Sequence, residues 1–128
     1  MRYMLLDYVE EVGWPALSRA EQEHWLGIYR TYMREMESAG VLKSSGGLQP
    51  TSSARSVRIA GGKPQVTDGP YAESKEQLGG YHIIEVDSIE QAISWAAKSP
   101  TALHGTVEVR PLWEGTLLTR TPEVLNPV

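Results

Sequence analysis

A carboxylate, two imidazoles and a knot of charges around one turn are the residues of this chain best equipped to move a proton. Asp68 opens the segment Asp68-Gly69-Pro70-Tyr71-Ala72-Glu73-Ser74-Lys75-Glu76, set between two strand-like runs. His82 follows within a few residues, and His104 precedes the last apolar run. A carboxylate and an imidazole within reach of a substrate proton can supply ~10²–10⁴-fold by general acid–base catalysis. Histidine is the side chain whose ordinary titration lies nearest neutrality. Asp68, His82 and His104 are therefore the catalytic candidates. Gly69, Pro70, Tyr71, Glu73, Lys75 and Arg110 are the candidates for holding a ligand. Lys75 can neutralise an anion, and Arg110 can grip a carboxylate or phosphate with two parallel hydrogen bonds.

Each of these has a plainer reading. Asp68-Gly69-Pro70 is a turn signal, and an aspartate there can bond its own loop. Glu73 and Glu76 fit a solvated turn, where ion pairs contribute little. Lys75 can pair with Glu85, and Arg110 with Glu108 or Glu85 across a sheet. A lone histidine in a strand is more often packed than reactive. No His-x-x-x-His spacing suggests a metal site, and neither a phosphate-binding glycine loop nor a Gly-x-Ser-x-Gly elbow is present. No cofactor is expected.

The elements that must position these groups can be read in order. Tyr3 to Val9 is apolar and aromatic, with a polar residue only at Asp7, and predicts a central strand. Ser18 with Glu21 three residues on is a capping box, starting a helix that runs to about Ala39 and stops at Gly40. Trp25, Ile28, Tyr29, Tyr32, Met33 and Met36 give it one apolar stripe. Val41 to Leu48 is a strand weakened by serines and by Gly46-Gly47, which suggests a bulge or a close approach. Ser56–Ile59 and Lys63–Val66 flank Ala60-Gly61-Gly62 as a hairpin. Gly80 to Val86 is the clearest strand, with His82, Ile84 and Val86 on one face. Asp87 or Ser88 caps a second helix whose apolar side is Ile89, Ala92, Ile93 and Ala96, bordered by Trp95. Thr106 to Leu112 is the last strand. These elements make a split βαβ pattern on an antiparallel sheet, an α+β fold with both helices on one face. The uncovered face is apolar too, so a second copy is expected to cover it.

The whole chain sets the bounds. Its 128 residues suit one domain. We expect that domain to span residues 1–114, followed by a tail or partner-contacting arm over 115–128. A net charge of −4 and scattered cations argue against a nucleic-acid partner. The absence of cysteine excludes disulfides and thiolate metal sites and fits a cytoplasmic protein. No apolar run approaches a membrane span, and no signal peptide is evident. With no phenylalanine, Tyr3, Tyr29, Tyr32, Tyr71, Tyr81, Trp25 and Trp95 must carry most aromatic packing.

The residues Tyr3-Met4-Leu5-Leu6, Ala39-Gly40-Val41-Leu42, Gly47-Leu48-Gln49-Pro50, Val66 to Tyr81 and Gly105-Thr106-Val107-Glu108-Val109-Arg110-Pro111 resemble the DGPF branch of the YCII-related proteins. The likeness covers residues 1–114, with Tyr71 for the usual Phe and Ser74 where Thr is common. It implies a ferredoxin-like fold that dimerises into an α/β barrel in a bacterial cytoplasmic protein. Some relatives stand beside or are fused to extracytoplasmic-function sigma factors. The wider superfamily includes a dehydrochlorinase of a ring-chlorinated hydroquinone, with a His-Asp pair proposed for acid–base work. The family's helical His falls near Tyr29 here. His24 lies five residues earlier, about 140° around the helix, so the role does not pass to it. Two functions follow as expectations. One is proton transfer on a small ring-bearing molecule. The other is a non-catalytic dimeric module that binds a small molecule or serves a sigma-factor system.

Overall fold

The computed structural model describes residues 1–115. The chain forms β1 (Arg2–Val9), a short α1 (Gly13–Ala16), α2 (Arg19–Ser38), β2 (Leu42–Gly47), β3 (Arg55–Ala60), β4 (Lys63–Asp68), β5 (Gln77–Glu85), α3 (Ile89–Lys98) and β6 (Thr106–Pro111). Strands β2-β5-β1-β6 make one antiparallel sheet in that order. The crossovers β1–α2–β2 and β5–α3–β6 each return parallel to their starting strand with one strand between. That is the doubled split βαβ of a ferredoxin-like α+β fold.

Local chemistry explains the elements. Ser18 Oγ accepts from the Glu21 amide at 3.1 Å, and Glu21 Oε1 accepts from the Ser18 amide at 3.0 Å, so the capping box closes α2 at its start. Tyr32 and Met36 are buried on its apolar stripe. In α3, Ala92 and Ala96 are buried, whereas Ile93 is 52% exposed. Our expected apolar side was therefore rotated: Ala92, Trp95 and Ala96 face the core, and Ile93 faces outward. Alanines let the helix sit close to the sheet, and Tyr32 donates to the Trp95 carbonyl at 2.8 Å, which fixes that rotation.

Alternation divides the sheet. Tyr3, Leu5, Ile84 and Val86 point under the helices and join Tyr32, Met36, Ala92 and Ala96 as the core. Leu5 and Ile84 have no exposed surface, and burying each contributes about 1.5–3 kcal/mol. Met4, Leu6, Tyr81 and Ile83 alternate onto the opposite face. Gly46 is a close approach, as its sequence suggests: a Cβ there would lie 2.8 Å from the Tyr81 ring.

The predicted hairpin exists, but outside this sheet. β3 and β4 pair only with each other as a separate two-stranded ribbon. The tail read from the sequence lies, apart from Gly115, outside the described residues.

Candidate functional site

Asp7 shares a face of β1 with Tyr3 and Leu5, so the strand turns its single carboxylate inward beneath α2. Asp7 stands opposite Gly80 on β5, and the β1–β5 register then shifts between Asp7 and Tyr8, leaving Gly79 as the bulged residue. His82, two residues past Gly80, is the diagonal neighbour of Asp7 on the same face. Gly80 leaves room for the carboxylate. A Cβ there would lie 3.8 Å from Asp7 Oδ2 and 3.0 Å from the Gly46 carbonyl.

His82 Nδ1 and Asp7 Oδ2 are 3.4 Å apart. Both residues are buried, at 9% and 8% exposure. That separation is within ion-pair range, but its geometry is not that of a hydrogen bond: Nδ1 has no hydrogen-bond partner, and Asp7 Oδ1 has none either. Buried polar atoms are nearly always partnered, and each orphan costs about 1–3 kcal/mol. The pair is therefore held at a cost to stability, with hydrogen-bonding capacity left unused.

Aromatic side chains lie near it. The Tyr32 ring meets the His82 imidazole edge-on, centroids 5.8 Å apart. Burial pushes the Tyr32 phenol well above its ordinary pKa, and the charges of Asp7 and Glu35 add to the rise. Tyr29 Oη lies 2.8 Å from Thr101 Oγ1 and 3.4 Å from His104 Nε2. Burial raises the Tyr29 phenol as well, opposed by the Thr101 bond and reinforced by the Asp7 charge. Trp25 packs edge-on against His104, centroids 5.0 Å apart. A cleft of about 410 Å³ opens between α2 and the chain after α3, lined by His24, Ile28, Thr31, Tyr32, Glu35 and Lys98 among others. Tyr32 belongs to both, lining the cleft and touching the imidazole. Lys98 Nζ sits 2.7 Å from Glu35 Oε2 and 4.7 Å from the centre of the Trp95 ring.

The residues singled out from sequence fall in three places. His82 is in the buried pair, and His104 is exposed beside Tyr29 and Trp25. Asp68 closes the β3–β4 ribbon: its side chain is 88% exposed and its Oδ1 lies 3.1 Å from Arg55 Nε. It shares no contact with either histidine. Gly69 takes φ +101°, donates its N–H to the Ala54 carbonyl at 2.8 Å and accepts from Ser56 Oγ at 2.9 Å. Asp68-Gly69 thus forms the root of the hairpin. Pro70 and Glu73 lie on the loop that follows. Tyr71 is 87% exposed, so it does not join the aromatic packing assigned to it. Lys75 pairs with Glu10 at 3.8 Å rather than with Glu85; Glu85 instead takes Arg2 at 3.4 Å and Lys43 at 3.5 Å. Arg110 stands opposite Met4 on β1. That places it on the far sheet face from Asp7 and His82. Sequence reasoning missed Asp7, Tyr29, Tyr32 and Thr101 as site residues. The available signal was one carboxylate in an otherwise apolar central strand, two and four residues from two core side chains. A buried charge needs a partner.

With this geometry in place, comparison with known proteins assigns the family. The model of the YCII-related domain matches residues 1–116. The chain belongs to the YCII-related domain family. An uncharacterised protein, R00369, from Rhizobium meliloti (strain 1021) is 36% identical over 114 residues, covering 88% of this chain and 92% of that protein. Among solved structures, the 5-chloro-2-hydroxyhydroquinone dehydrochlorinase TftG from Burkholderia phenoliruptrix AC1100, in complex with 2,5-dihydroxybenzoquinone, superposes with a TM-score of 0.53. The match is at 12% identity over 90% of this chain and 96% of that one. At that identity the likeness is one of fold. No helix of this YCII-related domain, among the described residues, is long and apolar enough to cross a membrane.

Proposed function

We propose that this YCII-related protein binds a small ring-bearing molecule in the cleft beside Tyr32 and transfers a proton with His82. The observation that carries this reading is the Asp7–His82 pair, buried together with one unpartnered polar atom on each side chain. His82 takes a proton from an acidic O–H or C–H of the ligand. Asp7 stabilises the imidazolium so formed, and the same proton returns to the product. Tyr29 and His104 form a second donor–acceptor group. Tyr32 and Ile28 on the cleft wall offer apolar surface to a ring. That a dehydrochlorinase of the same fold holds a dihydroxybenzoquinone supports a hydroxylated ring as ligand class.

The protein acts as a cytoplasmic homodimer in this reading, with the open sheet face covered by a second copy. In this reading the bend from Asp68 to Lys75, whose Asp68 and Lys75 pair with Arg55 and Glu10 within the chain, and Arg110, on the open sheet face, serve the contact with that copy rather than the ligand in the cleft. A competing reading, a non-catalytic module attached to a sigma-factor system, is favoured by one observation: Asp68 is occupied by Arg55, as in a purely structural hairpin.

A thermal-shift panel of hydroxylated benzoquinones and hydroquinones tests the choice. A binder at 100 times its Kd adds about 2.7 kcal/mol of stability. We expect such a binder for the wild type and a loss of at least tenfold in its affinity for His82→Gln. Equal affinity in both proteins would remove His82 from the site and favour the non-catalytic module.

A further inference from the structure

We infer that the β3–β4 ribbon is an arm that lays its apolar face on a second copy of this chain. The inference rests on the homodimer reading above and adds to it a specific contact. The ribbon is built to be stiff. Its turn is Gly61-Gly62 at φ +58° and +75°, the two positive dihedrals that a two-residue hairpin turn needs to match strand twist. Its root is tied down. Gly69 N–H bonds the Ala54 carbonyl, Arg55 pairs with Asp68, and just before β3 the Thr51 amide and hydroxyl both donate to the Glu11 carboxylate, at 2.7 and 2.8 Å.

Beyond that root, no other helix or strand among the described residues packs extensively on the ribbon. Cross-strand pairs Val57↔Val66 and Ile59↔Pro64 share one face with Arg55↔Asp68, while Ser56, Arg58, Gln65 and Thr67 take the other. Val57, Ile59 and Val66 are 65%, 65% and 63% exposed. A hairpin sorted so cleanly into an apolar and a polar face is patterned for burial on one side. A lone two-stranded ribbon is marginal in water without such burial.

Charge selects the occupant. From Arg55 to Asp68 the arm carries three cations and one anion, within a chain of net charge −4. The rest of the chain is therefore strongly acidic, and an arm of net +2 is attracted to the body of another copy. The sheet face holding the half-buried Leu6 and Ile83 also has no helix over it among the described residues. A two-fold pairing presents both surfaces twice and closes on itself without leaving either exposed.

The test is sedimentation velocity across a dilution series, with hydrogen exchange of the arm amides at each concentration. It compares the wild type with the Val57→Thr, Ile59→Thr, Val66→Thr triple variant. Threonine keeps the β-branched shape but not the apolar surface. We expect a wild-type dimer whose arm amides become protected as the dimer forms. In the triple variant we expect an unchanged circular dichroism spectrum and a dimer Kd raised at least tenfold. A wild-type dimer whose arm amides exchange independently of concentration overturns the arm contact and leaves the homodimer standing, and so does an unchanged Kd in the variant. A wild-type monomer overturns both. The exchange measurement on the wild type decides the question even if the variant misfolds.

Discussion

Leaving Asp7 buried without its imidazole should cost more than removing both groups together. Breaking a buried pair by deleting one partner typically costs about 3–5 kcal/mol, whereas replacing the whole pair with apolar residues is often neutral or stabilising. We therefore expect His82→Leu to lose about 3 kcal/mol in urea unfolding, and Asp7→Leu/His82→Leu to recover most of it while binding no ligand. A double variant no more stable than the single one would mean that the pair is a structural asset. Tyr32 gives a second test. Its hydroxyl is bonded to the Trp95 carbonyl and its phenol is raised by burial. A folded pKa above the unfolded value means stability that is fully present below about pH 10 and is lost as pH rises toward the folded value. Tyr32→Phe should cost about 1 kcal/mol at neutral pH and abolish the latest phase of tyrosinate absorbance in an alkaline titration. His82 was readable as a candidate because its strand was clear. Asp7 was not, because its pairing depends on the β1–β5 register and on Gly80 leaving space, neither of which a single strand reveals.

Most of the elements were legible because local rules agree with the fold. The Ser18–Glu21 box, the stripe ending at Met36 and the period-two strand around His82 all appear where their spacing puts them. Ser18→Ala should therefore lower stability by about 1 kcal/mol. Glu21 is held below the ordinary carboxylate range by its hydrogen bonds to the Ser18 backbone and side chain. The stability from the Ser18 N–H bond to the Glu21 carboxylate is present above about pH 4.5 and is lost as pH falls through the lowered value, so the penalty of Glu21→Ala should shrink in acid. A penalty constant from pH 7 to pH 3 would contradict that account. What periodicity could not provide was which strands share a sheet. The β3–β4 pattern reads the same whether the ribbon joins the main sheet or stands apart. On α3, four apolar residues fit one side equally well until tight alanine packing and the Tyr32 bond choose Ala92 and Ala96 over Ile93.

At the scale of the whole molecule, no described helix covers the apolar sheet face or the arm, while the Asp7–His82 pair lies beneath the helices on the opposite side of the sheet. The proposed assembly and the proposed chemistry therefore occupy different faces. Raising the salt concentration should weaken assembly through the cationic arm and leave ligand affinity within about twofold, because a buried pair is screened far less than surface charges. Parallel loss of both in a salt series would place the site at the subunit interface instead. The most direct test of the central claim is a long-range ¹H–¹⁵N NMR spectrum of the histidine ring nitrogens, recorded as a binder from the hydroxylated-ring panel is added. We predict that the His82 ring resonances move and saturate with the same Kd as the thermal shift, together with those of His24, which lines the same cleft. Unmoved His82 resonances at saturating ligand would contradict it.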